Sequence, residues 1–107
     1  MALGEFEQLV LLAVLHLGRD AYGVEIARAI EERTHRNVSR SALYITFDRL
    51  EAKGLLESDL KSPTAARGGN LRRYVEVTGA GLRRLRESRA ALMGMWSGLE
   101  GVLGEEA

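Results

Sequence analysis

Apolar residues recur with the period of an α-helix in four stretches of the chain. The first of these predicted helices runs from about Leu3 to Leu17 and stops at Gly18, a residue suited to a helix C-terminus. Because it is apolar on nearly all sides, we expect its own domain to cover one side and a partner subunit the other. One face holds Phe6, Leu9, Val10, Ala13, Val14 and Leu17, and the other holds Leu11, Leu12 and Leu15.

A short polar link separates the second and third predicted helices. The second opens at Asp20 or Ala21 and ends near Thr34, and the third follows the N-cap Ser39 and ends at Gly54. One face of the third helix is apolar at i, i+4 and i+7, and the opposite face is small or polar. The inward set is Leu43, Phe47 and Leu50, and the outward set is Ser41, Ala42, Ile45 and Arg49.

Two short strands follow, over Leu55 to Leu60 and Arg72 to Val77. The loop between them contains Pro63, the only proline of the chain, and the glycine pair Gly68 and Gly69. Two strands joined by such a loop predict a β-hairpin.

Alternation along the second strand places Arg72 and Arg73 on opposite faces of this hairpin. We therefore expect only one of them to be free to bind a ligand, and we favour Arg72, together with Arg67 of the loop. The other arginine is expected to pair with one of the nearby carboxylates Glu57, Asp59 or Glu76.

Thr78 is the predicted N-cap of a long last helix, whose apolar seam has the alternating three and four spacing of helices that pack along each other. This seam predicts a dimerisation element. An antiparallel pair centred near Leu92 would set Arg89 against Trp96 of the partner subunit, and the alternative is that the seam packs on the partner's first helix. The seam consists of Leu82, Leu85, Arg89, Leu92, Trp96, Leu99 and Leu103.

The predicted fold is mainly α with a two-stranded β-hairpin. Three helices, a hairpin with a basic loop and one more helix form the order of a winged helix-turn-helix, in which the third helix enters the DNA major groove. Residues 1–78 would form this DNA-binding unit. Residues 79–107 would form the C-terminal dimerisation helix of the same compact unit.

The charge of the chain is unevenly distributed. Its formal net charge is zero, but residues 61–89 carry eight basic and two acidic side chains. A cluster of arginines on and after the hairpin is the electrostatic pattern of a surface that binds nucleic acid. The pattern therefore supports DNA as the partner, although the total charge does not.

Composition argues against several other classes of protein. The absence of cysteine excludes disulfides and thiolate metal sites and fits a reducing compartment, so we expect a cytoplasmic protein without cofactors. Neither His16 nor His35 has a second ligand at metal-binding spacing. The run Leu9 to Leu15 is too short to cross a membrane and follows acidic residues, which disfavours a signal peptide.

The outward face of the third helix and the hairpin loop are the candidate DNA contacts. Serine and arginine at the start of a helix can reach phosphates and base edges, and glycines let the backbone approach a groove. The ordinary alternative is a solvated surface. The candidates are Ser39, Arg40 and Ser41 on the helix and Arg67, Gly68, Gly69, Asn70 and Arg72 on the hairpin.

From Leu3 to about Leu99 the sequence closely resembles the PadR-like transcriptional regulators. The stretches that carry this resemblance are LGEFEQLVLLAVLHLG, DAYGVEIARAIEERT, VSRSALYITFDRLEAKGLL and GGNLRRYVEVTGAGLRRL. Their combination and order are specific to that family. The short C-terminal region is similar to the compact branch of the family.

The resemblance implies a homodimeric DNA-binding regulator, usually a repressor, that a small hydrophobic or aromatic effector can release from its operator. Arg40 departs from the small or apolar residue common at its position in the family. Carried over by position, the implied DNA contacts are Tyr22, Gly23, Ser39, Arg40, Ser41, Tyr44, Arg67, Gly68, Gly69, Arg72 and Tyr74. The expected dimer contacts are Leu11, Leu15, Leu85, Arg89, Leu92, Trp96 and Leu99.

Three alternatives remain open at this point. Tyr22 and Tyr44 fit equally well as aromatics at the edge of the core. The effector pocket, bounded by the first helix and by Met93, Met95 or Trp96, competes with plain packing of those side chains. A winged helix that only binds another protein is the main functional rival, whereas an enzyme is disfavoured by the lack of a convergent catalytic group.

Overall fold

The structure is a computed structural model that describes residues 3–62, 71–102 and 104. Within these residues the chain forms helices α1 to α4 and one antiparallel hairpin of strands β1 and β2. In chain order they are α1 Glu5–Leu17, α2 Gly23–Thr34, α3 Arg40–Ala52, β1 Leu56–Lys61, β2 Arg72–Val77 and α4 Gly79–Trp96.

The end of α1 agrees with the sequence, but α2 begins later than expected. Gly18 ends α1 with a positive φ of 59°, which glycine adopts without strain. After a short 3-10 turn, the backbone of Ala21 and Tyr22 is extended, because it pairs with β2 instead of entering the helix. The N–H of Val75 donates to the carbonyl oxygen of Ala21 at 2.9 Å, and Tyr22 forms a β-bridge with Tyr74.

Both N-caps predicted by the sequence are confirmed. The Ser39 hydroxyl accepts a hydrogen bond from the N–H of Ala42 at 3.1 Å, at the start of α3. The Thr78 hydroxyl accepts one from the N–H of Gly81 at 3.0 Å, at the start of α4. These side chains satisfy amides that have no partner within their own helices.

The hairpin register gives its two faces different surroundings. Leu56 lies opposite Val77, Ser58 opposite Val75 and Leu60 opposite Arg73. Arg73, Val75 and Val77 share the more buried side of β2, which packs toward the helices and thus confirms that Arg72 and Arg73 lie on opposite faces.

Residues from all three N-terminal helices and the hairpin form one hydrophobic core. Leu11 differs from the expectation that it would face a partner, because it is 0% exposed within its own chain, whereas Leu15 is 46% exposed. α2, α3 and the hairpin pack around α1, so the side of α1 that holds Leu11 lies in the core. The buried set is Val10, Leu11, Ala13, Val14, Ala21, Ile26, Ile30, Leu43, Phe47, Leu50, Leu55, Leu56 and Val75.

α4 is attached at its start and exposed over its second half. The Ser88 hydroxyl donates to the side-chain oxygen of Gln8 on α1 at 2.9 Å, and every residue from Arg89 to Trp96 is exposed. The helix ends at Trp96, so Leu99 lies beyond it and the predicted seam is longer than the helix. Gly98, with a φ of 90°, lies just after this end, where glycine is favoured.

No helix among the described residues is long and apolar enough to cross a membrane.

Candidate nucleic-acid interface

An open groove of about 470 Å³ lies where the start of α2, the start of α3 and the hairpin meet. Five of the residues expected to contact DNA line it, although they come from three separate elements of the chain. They are Tyr22, Gly23, Arg40, Tyr44 and Arg72.

Arg72 is held at this groove by a series of stacked side chains, which we call the aromatic ladder: Lys61, Tyr74, Tyr22 and Arg72. The Arg72 guanidinium carbon lies 4.4 Å from the centre of the Tyr22 ring. The Tyr22 and Tyr74 rings meet edge to face at 5.4 Å, and Lys61 Nζ lies 5.0 Å from the centre of Tyr74. Cation–π contacts at exposed sites contribute about 0.5–1 kcal/mol each, so the ladder orients Arg72 while leaving its donors accessible.

Arg73 points to the opposite face and is neutralised there. Its Nη2 donates to Asp48 Oδ1 at 2.9 Å and also to Glu51 Oε2, and its Nε donates to Ser58 Oγ at 2.9 Å. The expected partners Glu57, Asp59 and Glu76 were wrong. Those carboxylates lie on the other face of the hairpin, whereas the face that holds Arg73 packs over α3.

Burial alone would lower the pKa of Arg73, but the hydrogen bonds and charges of Asp48 and Glu51 outweigh it and raise the pKa above its ordinary value. Arg73 therefore stays protonated and paired. Both adjacent arginines line the groove, but Arg72 is exposed there, whereas Arg73 is only partly exposed and is held in its ion pairs.

Gly23 leaves room for the Tyr44 side chain of α3 against the start of α2. A Cβ atom at this position would lie 2.5 Å from the Tyr44 hydroxyl oxygen. The Tyr44 ring also meets Phe47 edge to face, with 5.4 Å between ring centres. Tyr22 and Tyr44 are half-buried at the edge of the core and also line the groove, a position that is compatible with both interpretations that the sequence left open.

The start of α3 presents the predicted polar surface. Arg40, Ser41, Ala42, Ile45 and Arg49 are exposed, as the periodicity indicated. Ser39 is exposed too, but its hydroxyl already accepts the capping hydrogen bond of the helix. Arg40 and Ser41 are therefore the side chains of this helical turn with donors directed to solvent.

The sequence reasoning missed two cations beside this site, Arg28 and Lys61. Arg28 lines the groove with a side chain that is 59% exposed, and it pairs with Glu25 at 2.9 Å. Lys61 forms the end of the aromatic ladder. The position of Lys61 within the basic segment was a usable signal, whereas Arg28 looks like an ordinary polar residue of α2 until the elements are assembled.

The other predicted wing contacts, Arg67, Gly68, Gly69 and Asn70, lie outside the described residues. Tyr74, also a predicted contact, lies within the aromatic ladder on the outer face of the hairpin.

Large apolar side chains are also exposed on α1 and on the second half of α4. Leu12 and Leu15 are exposed on α1, while Leu85 is partly buried against the core. On α4, Leu92 is 52% and Trp96 44% exposed. Large apolar side chains exposed in this way mark surfaces for association.

Comparisons with known proteins agree with this arrangement. Residues 11–87 match the sequence model of the family described as "Transcriptional regulator PadR-like family". A protein of Lysinibacillus sphaericus named "Uncharacterized protein X" is 30% identical over 86 residues, which are 78% of this chain and 74% of that protein.

Similar solved structures include a PadR family transcription regulator from hypervirulent Clostridium difficile R20291, with a TM-score of 0.71 and 24% identity over 94% of this chain and 96% of that chain. A PadR-like transcriptional regulator from Bacillus cereus strain ATCC 14579 has a TM-score of 0.70 and 25% identity, covering 95% of this chain and 93% of that one. These similarities confirm the predicted winged-helix fold and the family resemblance.

Proposed function

The chain belongs to the PadR-like family of transcriptional regulators, and we propose that it acts as a homodimeric repressor that binds an operator in duplex DNA. The observation that carries this proposal is the groove where Arg28, Arg40 and Arg72 converge from α2, α3 and β2. Cations held on three separate elements fit the closely spaced phosphates of a duplex.

Each element has its own part in the proposed complex. The start of α3 enters the major groove, where Arg40 and Ser41 face base edges. The hairpin follows the flanking backbone, with Arg72 and Tyr74 beside it and the predicted wing residues 67–69 at its loop. Tyr22 and the amide end of α2 at Gly23 approach a phosphate between the two.

The proposed dimer covers the exposed apolar surface of α1 and α4. Leu15, Leu92 and Trp96 would be buried in it, and the two copies would read half-sites about 34 Å apart, one turn of the duplex. A small hydrophobic or aromatic effector binds at this interface and releases the DNA. An open groove of about 870 Å³ borders Leu15 and Leu82, but its lining does not include Met93, Met95 or Trp96, the side chains expected to bound the effector pocket.

The test is duplex binding as a function of salt, using genomic fragments selected by the wild-type protein and fluorescence anisotropy as the readout. We expect binding to weaken steeply with salt, and Arg72→Met to reduce the slope of log K against log salt by about 0.9, the value for one phosphate contact. Arg33→Met is the matched control, because Arg33 is exposed in the last turn of α2, at the far end from the groove.

Base reading by Arg40 is tested separately by binding-site selection. Arg40→Ala should relax the preference at one base pair by about 1–3 kcal/mol if the side chain reads guanine. Unchanged preferences would remove Arg40 from base recognition. A wild-type protein without salt-dependent duplex binding would instead support the protein-interaction module.

A further inference from the structure

We infer that Arg73 is a positioning residue, which locks the hairpin to α3 so that both elements meet one DNA duplex in a fixed relative orientation. This inference rests on the proposed function, because it assigns to Arg73 a role in DNA recognition without contact to DNA.

The Arg73 guanidinium joins three elements at one point. Arg73 belongs to β2, its Nε donates to Ser58 of β1, and its Nη2 donates to Asp48 and Glu51 of α3. The guanidinium carbon also lies 5.3 Å from the centre of the Phe47 ring. Arg73 has 23% of its side chain exposed and Glu51 has 32%, so partial shielding from water strengthens this contact, whereas Asp48 is 72% exposed and its contact is screened by solvent.

The hairpin is already attached to the fold by Leu56 and Val75 in the core and by the pairing of β2 with Ala21 and Tyr22. Arg73 adds a directional polar contact to α3. Asp48 and Glu51 are three residues apart, so they lie on the same side of α3 and both face the guanidinium. A planar guanidinium can donate to several acceptors at fixed angles, whereas a lysine ammonium cannot reproduce this geometry. Core packing and strand pairing thus attach the hairpin, and Arg73 restricts its angle relative to α3.

Direct contact between Arg73 and DNA is the competing explanation, and the local charge argues against it. One guanidinium against the two carboxylates Asp48 and Glu51 leaves a formal net charge of −1 at this point, which repels a phosphate. The neighbouring Arg72, on the other face, stacks on an aromatic ring and forms no ion pair with a carboxylate of the described residues. The two arginines thus have different roles: Arg72 is available to bind a phosphate, and Arg73 holds β2 against α3.

The first experiment measures, without DNA, how narrowly the position of the hairpin is fixed relative to α3. The chain contains no cysteine, so the double variant Ala42→Cys and Leu71→Cys places one spin label on α3 and one on the residue that immediately precedes β2. Pulsed electron–electron double resonance then gives the distribution of distances between the labels. We expect Arg73→Met to widen this distribution clearly, Arg73→Lys to widen it less, and the control Arg72→Met to leave it unchanged.

The second experiment measures duplex binding by two variants that each remove two carboxylate charges. Asp48→Asn with Glu51→Gln removes the partners of Arg73, while Glu57→Gln with Asp59→Asn removes two carboxylates of β1 that do not pair with it. If Arg73 positions the hairpin, the first variant should bind at least about fivefold more weakly than the second. If Arg73 contacts phosphate itself, freeing it should strengthen binding.

Either of two results would overturn the inference: an unchanged distance distribution in folded Arg73→Met, or equal or tighter binding by the Asp48/Glu51 variant than by its control. If Arg73→Met does not fold, Glu51→Gln alone should still widen the distribution. A wild-type protein that does not bind duplex DNA refutes the proposed function, whereas a narrow distribution in every variant refutes only the lock.

Discussion

Gly81 should be the glycine of α4 that tolerates alanine least. A Cβ atom at this position would overlap the carbonyl oxygen of Leu55 and lie 2.7 Å from Cγ1 of Val77. The first of these is a backbone atom that accepts a hydrogen bond from the N–H of Thr78 at 3.1 Å, so it cannot rotate away. The alanine side chain can fit only if the start of α4 moves away from β1.

The magnitude follows from opposing effects. Alanine favours the helix over glycine by about 1 kcal/mol. Inserting a methyl group into a packed contact costs about 1–3 kcal/mol. Weakening the hydrogen bonds that Thr78 makes to Leu55 and Gly54 costs about 1 kcal/mol more. The net effect of Gly81→Ala is therefore a loss of about 1–3 kcal/mol in the free energy of unfolding.

Urea denaturation followed by circular dichroism measures this loss. A loss of about 2 kcal/mol lowers the urea midpoint by about 1 M for an m value of about 2 kcal/mol/M. Gly79→Ala is the matched control, because it lies in the same helical turn with nothing within 4 Å of the place that its methyl group would take, and it should be neutral or stabilising. Protein concentration must be equal throughout, since dimerisation shifts apparent stability. A midpoint for Gly81→Ala at or above that of wild type would refute the packing argument.

Two further predictions concern the pair Glu7 and Lys53 and the proposed dimer. Burial would raise the pKa of Glu7, but hydrogen bonds from Lys53 and from the N–H of Gly4 outweigh it and lower the pKa. Because the folded pKa lies below the unfolded one, this stabilisation is present above the unfolded value and is lost as pH falls through the folded one. Glu7→Gln should therefore flatten the acid side of the unfolding free energy profile, and an unchanged profile would contradict the assignment. In the dimer, a double-mutant cycle of Arg89→Met and Trp96→Leu, measured as dimer dissociation, should give a coupling of about 0.5–2 kcal/mol, and additive losses would mean that the two side chains do not meet.

The candidate site was only partly predictable from the sequence. Residue types and family motifs predicted Tyr22, Arg40, Tyr44 and Arg72, which the structure gathers around one groove. Arg28 was missed because nothing within α2 distinguishes it from an ordinary exposed charge. Its position at the groove depends on how α2 packs against two other elements.

Local signals in the sequence determined most of the secondary structure. Apolar periodicity, the caps Ser39 and Thr78 and the stop at Gly18 act within one or two helical turns, so their effect can be read from neighbouring residues. Alternation likewise predicted the bounds of β2 as Arg72–Val77 and placed its two arginines on opposite faces. These features require no knowledge of the rest of the chain.

Tertiary structure decided what each face meets. Ala21 and Tyr22 leave the expected helix because β2, which is distant along the chain, offers their backbone a partner. Arg73 forms its ion pairs with α3 instead of with a carboxylate of the hairpin, and Leu11 is buried in the core. Both contacts likewise depend on elements that are distant along the chain. Burial, strand pairing and ion pairs act between surfaces that adjoin only after the elements pack, and the order of residues along the chain does not specify that contact.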